Sequence, residues 1–177
     1  EKIVVLTQQN KGIPAARNAG IKACSGELIA FLDHDDLWNP EKLQRQVDIF
    51  GRHPAIGICF TNYAPFGEIA PYRTGFEEAG RRLYEIPRDS LGLHAFKINS
   101  SSLLECMVRG GVPCWTSTVM VRAECLETVG PFDEELLIND DTQMWFRFAK
   151  LCSYAYVDSV LVRQRIRASS TSSAMST

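Results

Sequence analysis

GELIAFLDHDDLWNPEKL, residues 26–43, is the stretch from which the fold is read. Residues 27–32 (ELIAFL) are apolar after the leading glutamate and are of strand length. Such a run is expected of a strand covered on both faces, as in the interior of an α/β sheet. Directly behind it stand Asp33, Asp35 and Asp36, three carboxylates in four residues. Asn39 and Pro40 then open a helix, since Asn caps N-termini and Pro is tolerated in a first turn. Leu43, Val47 and Phe50 recur at helical spacing and are expected to form its inward face.

Upstream, residues 2–7 (KIVVLT) are rich in β-branched residues and predict a strand. Pro14 opens a helix with a small-residue face of Ala15, Ala16, Ala19 and Ala23, which Gly26 ends. Strand, helix and buried strand in succession predict parallel pairing through a right-handed crossover. Downstream, strands are expected at 56–63, 117–121, 154–157 and 160–163, and helices at 103–109, 122–129 and 141–151. The whole reads as one α/β domain over residues 1–168, a mostly parallel, Rossmann-like sheet with helices on both faces. Residues 169–177, only Ser, Thr, Ala and Met, read as a flexible tail.

Composition narrows the function. Lys plus Arg number 19 and Asp plus Glu 21 in 177 residues, a net charge of −2. That balance carries no electrostatic footprint for nucleic acid. No apolar run approaches the ~20 residues a membrane-spanning helix needs. The six cysteines form no C-x-x-C and no zinc-finger spacing with histidine. Read as free thiols, they favour a reducing compartment, so the expected location is the cytoplasm, or peripherally the inner face of its membrane.

The acidic strand end carries the chemistry. Ligands of open α/β sheets bind at the carboxyl ends of strands. Three adjacent carboxylates repel one another unless a cation or helix N-termini neutralise them. Oxygen-only ligands on a loop suit Mg²⁺ or Mn²⁺, with a substrate diphosphate completing the shell. An EF-hand is excluded, because Trp38 occupies the sixth loop position where glycine is required. A second acidic pair, Asp140 and Asp141, opens a helix on which Trp145 and Arg147 follow; Asp141 and Trp145, four apart, are expected to share a face. One acidic site would hold metal, and the other would supply a general base.

Four stretches in order resemble the inverting family-2 glycosyltransferases of GT-A fold: NKGIPAARNAG at 10–20, the stretch at 26–43, VGPFDE at 129–134 and DDTQMWFR at 140–147. The resemblance implies that Asp33 and Asp35 are the family's D-x-D, holding Mn²⁺ or Mg²⁺ against the donor diphosphate, with Asp36 the Asp that often follows. It implies that Asp141 is the catalytic base and that Asp140 stands where a Glu is usual. Asn10, Gly12, Arg17 and Asn18 match the part lining the donor nucleotide. Trp145 and Arg147 match the helix behind the base, as acceptor contacts or support. Where relatives carry a His near the end, this chain reads RQRIR at 163–167, so Arg165 or Arg167 would take the diphosphate. The partners implied are a nucleotide-sugar donor and a glycan or lipid-linked acceptor. The family's opening strand–helix–strand has no counterpart ahead of residue 1, so the fold is expected to be N-terminally truncated. A non-catalytic truncated remnant is one alternative. A haloacid-dehalogenase-type phosphatase is the other, though Leu37 stands two residues after Asp35, where that family wants Thr or Val.

Overall fold

A computed structural model describes residues 3–67, 74–78, 81–110, 113–136 and 138–167. The tail expected at 169–177 lies outside the described residues. In chain order the elements are α1 (Ile13–Ala23), β1 (Leu28–Ala30), β2 (Leu37–Trp38), α2 (Lys42–Arg52), β3 (Ile56–Gly67), α3 (Gly75–Glu78), β4 (Arg88–Gly92), β5 (Ala95–Ile98), α4 (Ser100–Gly110), β6 (Met120–Arg122), α5 (Ala123–Val129), α6 (Asp140–Leu151) and β7 (Ser153–Ile166). Single 3-10 turns stand at Arg81–Tyr84 and Thr116–Thr118.

The sheet order is β1-β6-β3-β7-β5-β4, with β2 paired to β7. Alternation along the central strands splits the core between its faces. Ile58, Phe60, Tyr154 and Tyr156 face one way, into an aromatic core with Met144, Trp145 and Phe148 of α6 and Leu103 and Met107 of α4. Cys59, Ala155 and Val157 face the other way and pack on Ile49 and Phe50 of α2. Helices therefore cover both faces, as expected of the α/β class.

The expected direction of pairing is corrected. Only β3 and β7 run parallel; β1 with β6, β3 with β6, β2 with β7, β4 with β5 and β5 with β7 are antiparallel. β6 enters between β1 and β3, so two strands of like direction are separated by one of opposite direction. An apolar run reports that both faces are covered and nothing about a neighbour's direction. The strand expected at 2–7 is corrected too. Residues 3–12 carry no strand or helix, and Ile3 and Val5 are 89% and 83% exposed. No described strand lies beside them, and an unpaired segment leaves its backbone to water.

Other boundaries moved for local reasons. The strand expected at 117–121 is divided between the Thr116–Thr118 turn and β6. The two strands expected at 154–157 and 160–163 are one, β7, whose register against β3 shifts beside Asn62. The inward face of α2 also differs. Leu43 and Val47 are 43% and 42% exposed, while Lys42, Gln46, Ile49 and Phe50 are buried. Gln46 donates to the carbonyls of Cys59 and Thr118, 2.8 and 3.0 Å away, which satisfies a buried polar group without solvent.

Candidate active site

The acidic loop leaves β1 and turns at once, the Asp36 N–H donating to the Asp33 carbonyl at 3.1 Å. Its three carboxylates meet different fates. Asp36 is buried: its Oδ2 accepts the Ser117 hydroxyl (2.6 Å) and the Trp115 indole N–H (3.0 Å), and its Oδ1 accepts the Arg165 N–H (2.9 Å). Burial raises its pKa, opposed by those hydrogen bonds. Asp36 is thus a post pinning the loop to β7 and to residues 115–117, with both carboxylate oxygens engaged in those bonds. Asp33 and Asp35, expected to hold the cation, are only half-buried.

Arg17 joins the two acidic sites. Its guanidinium donates to Asp33 Oδ1 (3.1 Å) and to Asp140 Oδ2 (2.6 Å), residues from opposite ends of the chain. Its side chain is 13% exposed and lies 5.4 Å from the Phe132 ring centroid. Asp140 is 7% exposed. Burial pushes its pKa up, Arg17 pulls it down and the neighbouring Asp141 pushes it up again. Asp141 is less buried; its Oδ2 accepts the Thr116 hydroxyl at 3.0 Å and its Oδ1 the Thr142 N–H at 2.7 Å. Within the pair Asp140 is committed to Arg17, and Asp141 is the carboxylate with an accessible side.

The remaining expected residues divide between site and scaffold. Arg165 donates Nε to the Asp35 carbonyl at 3.1 Å, which sets its guanidinium beside the acidic loop. Arg163 and Arg165 lie 4.6 and 4.5 Å from the Phe66 ring centroid, so one ring supports two cations. Arg167 is exposed just past β7. Asn10 Oδ1 accepts the Gly12 N–H at 3.0 Å, shaping the turn into α1, where Gly12 takes φ 90°. Asn18 is buried; it donates to the Phe132 carbonyl and Glu134 and accepts the Phe132 N–H. Its amide fastens the 130–134 loop to α1. Arg147 donates to the carbonyls of Val129 and Pro131, and Trp145 is fully buried among Phe31, Phe132 and Phe148. Trp145 supports the helix from within the core, whereas Arg147 fastens α6 to the 129–131 loop and keeps part of its side chain on the surface.

Sequence reasoning missed Thr116 and Ser117, and the bond from Trp115 to Asp36, which together hold the acids in place. A cleft of about 430 Å³ runs past Asn18, Lys22, Phe132, Glu134, Gln143 and Arg147 but includes none of the acidic residues at 33, 35, 140 and 141. Among the described residues no three His, Cys, Asp or Glu side chains converge as a metal cluster. A cation held here would take Asp33 and Asp35 and complete its shell with substrate oxygens and water. That suits Mg²⁺ or Mn²⁺, which keep several such ligands.

Solved structures share this architecture. Staphylococcus aureus TarS 1–349 in complex with UDP-GlcNAc matches with a TM-score of 0.63 and 20% identity, over 94% of this chain and 42% of that one. TarS 1–349 in complex with UDP gives a TM-score of 0.60 and 18% identity, over 89% and 41%. The fold is that of the GT-A glycosyltransferases. An uncharacterised glycosyltransferase of Rickettsia prowazekii is 26% identical over 172 residues, 97% of this chain and 49% of the relative. The amylovoran biosynthesis glycosyltransferase AmsE of Erwinia amylovora is 23% identical over 149 residues, 84% of this chain and 48% of the relative. Residues 1–107 match the family described as Glycosyl transferase family 2, and the chain belongs to that family. It spans about half the length of these curated relatives.

Proposed function

We propose that this chain forms the donor and catalytic half of an inverting, metal-assisted sugar transfer from a nucleoside-diphosphate sugar. The observation that carries the reading is the meeting of Asp33 and Asp140 across Arg17, with Asp35 and Asp141 left accessible on either side. In the proposed reaction Asp141 takes the proton of the acceptor hydroxyl. The freed oxygen forms its bond to the anomeric carbon on the face opposite the diphosphate. The bond to the diphosphate oxygen breaks, its electron pair leaves with that oxygen, and configuration inverts. Asp33 and Asp35 would hold a divalent cation, which would supply Lewis-acid stabilisation of the leaving charge. Arg165, beside the loop, adds a fixed positive charge for the same oxygens.

The TarS complexes make a uracil nucleotide the first donor to try. The acceptor is proposed to be a growing glycan or a lipid-linked sugar, and the location the cytoplasm or its membrane face. Among the described residues no helix is long and apolar enough to cross a membrane. With the family established, the phosphatase alternative falls.

The test is thermal unfolding of the full-length protein with Mn²⁺, with and without UDP or GDP, beside Asp35→Ala. At about 100-fold saturation a ligand that binds only the folded state adds ~2.7 kcal/mol. We expect a shift that needs both Mn²⁺ and one nucleotide and that is lost in Asp35→Ala. A nucleotide shift that persists undiminished in the variant would remove Asp35 from the cation site. Absence of any nucleotide shift would overturn the donor reading.

A further inference from the structure

We propose that Thr116 is a positioning residue for the Asp141 carboxylate, and that the turn at 115–118 locks the base and the acidic loop into one unit. The inference rests on the reading of Asp141 as the base. Three consecutive polar residues, Thr116, Ser117 and Thr118, are at most 1% exposed. A buried hydroxyl is retained where it has a specific partner, because an unpartnered one costs stability. Thr116 donates to Asp141 Oδ2 at 3.0 Å. Its neighbour Ser117 accepts the Asp33 N–H at 3.0 Å and donates to Asp36 at 2.6 Å. Adjacent residues therefore grip the two halves of the site, which are far apart in sequence.

The turn is fixed from behind, so this grip is rigid. Thr118 donates its hydroxyl and its N–H to the Trp115 carbonyl at 2.6 and 2.8 Å, and the Val119 N–H reaches the Thr116 carbonyl at 3.1 Å. Trp38 donates to the Ser117 carbonyl at 2.8 Å and Gln46 to that of Thr118 at 3.0 Å. These bonds restrain the backbone on either side of Thr116. Asp141 is held at both oxygens, by the turn at Oδ2 and by the Thr142 N–H at Oδ1 (2.7 Å), and the Thr116 hydroxyl is the contact that ties it to the acidic loop. A base must meet the acceptor hydroxyl at hydrogen-bond distance, and misplacement by ~1 Å costs on the order of 100-fold in rate.

The decisive comparison is Thr116→Val against Thr116→Ser in the full-length protein. Valine keeps the volume and β-branching and removes only the hydroxyl; serine keeps the hydroxyl. We expect Thr116→Val to lower kcat for transfer by about 10- to 100-fold with the donor KM unchanged, the range for one hydrogen bond to a charged group. Thr116→Ser should recover most of that loss. Full kcat in the valine variant, or equal losses in both variants, would overturn the proposal. Should the valine variant fail to fold, Thr116→Ala against Thr116→Ser gives the same contrast, and equal kcat values would overturn it. Asp141→Asn separates the two levels of inference. If it is inactive while Thr116→Val is fully active, only the positioning role falls. If it is as active as the parent, the base assignment falls and the positioning role with it.

Discussion

Asp141→Asn is expected to lower sugar transfer by about three orders of magnitude while leaving the fold and donor binding intact. The substitution preserves shape, and the oxygen retained by the amide still accepts from Thr116, whose hydroxyl lies 3.0 Å from Oδ2 in the parent. What is lost is the ability to take a proton, together with the bond that Oδ1 accepts from the Thr142 N–H at 2.7 Å, which an amide NH2 cannot accept. General-base catalysis contributes typically 10²–10⁴-fold, so kcat is expected to fall by about three orders of magnitude. The Mn²⁺-dependent nucleotide shift should remain, because the cation side is built from Asp33 and Asp35 on another element. Asp140→Asn provides the contrast. Asp140 is 2.6 Å from Arg17 and nearly buried, so its loss disturbs Arg17 and, through it, Asp33. Its variant is expected to weaken donor binding as well as turnover. Steady-state kinetics with the nucleotide-sugar, paired with thermal shifts, reads both. A kcat for Asp141→Asn within ten-fold of the parent would transfer the base to another group.

The acidic loop was legible because an apolar run followed at once by three carboxylates is costly in any context that does not use them. The division of labour among those carboxylates was not legible. Nothing in DHDD marks Asp36 as the buried one, since that depends on Ser117, Trp115 and Arg165, from two other parts of the chain. The hydroxyls of Thr116 and Ser117 were hidden for a related reason: a β-branched stretch, TSTVMV, reads as strand, and strand reading assigns alternate side chains to faces rather than to partners. Trp145 shows the limit of helical spacing. Asp141 and Trp145 do lie close in angle on α6, yet the boundary between core and solvent falls between them, and the aromatic ring ends among Phe31 and Phe132. On α2 hydropathy pointed the wrong way. Leu43 and Val47 were expected to face the core, yet Lys42 and Gln46 are buried in their place, because the carbonyls and the ring that receive them come from β2, β3 and the 116–118 turn.

Lys42 makes that misassignment measurable. Its residue is fully buried, its Nζ donates to Gln46 Oε1 at 2.8 Å and lies 4.2 Å from the Trp38 ring centroid, and among the described residues no carboxylate pairs with it. The groups facing it are the Gln46 amide, the Trp38 ring and the Cys59 thiol. Burial pulls its pKa down from 10.5 to about 7. Between those values the unfolded chain binds one proton more than the folded chain, so stability rises with pH across that range, at about 1.4 kcal/mol per unit. Cys59 opposes this only above pH 9, because burial raises its pKa from 9.0 to about 12 and the unfolded thiol ionises first. The clean window is therefore pH 7 to 9. Lys42→Met keeps the unbranched stem and removes the charge. At pH 7 the variant is expected to be the more stable protein, and its advantage should shrink by roughly 2–3 kcal/mol by pH 9, as the parent sheds the cost of its buried ammonium. Groups common to both proteins cancel in the difference. Urea unfolding of parent and variant at pH 7, 8 and 9 measures it, and parallel pH dependences would mean that Lys42 keeps its proton in the folded core, held there by the indole ring and the Gln46 carbonyl.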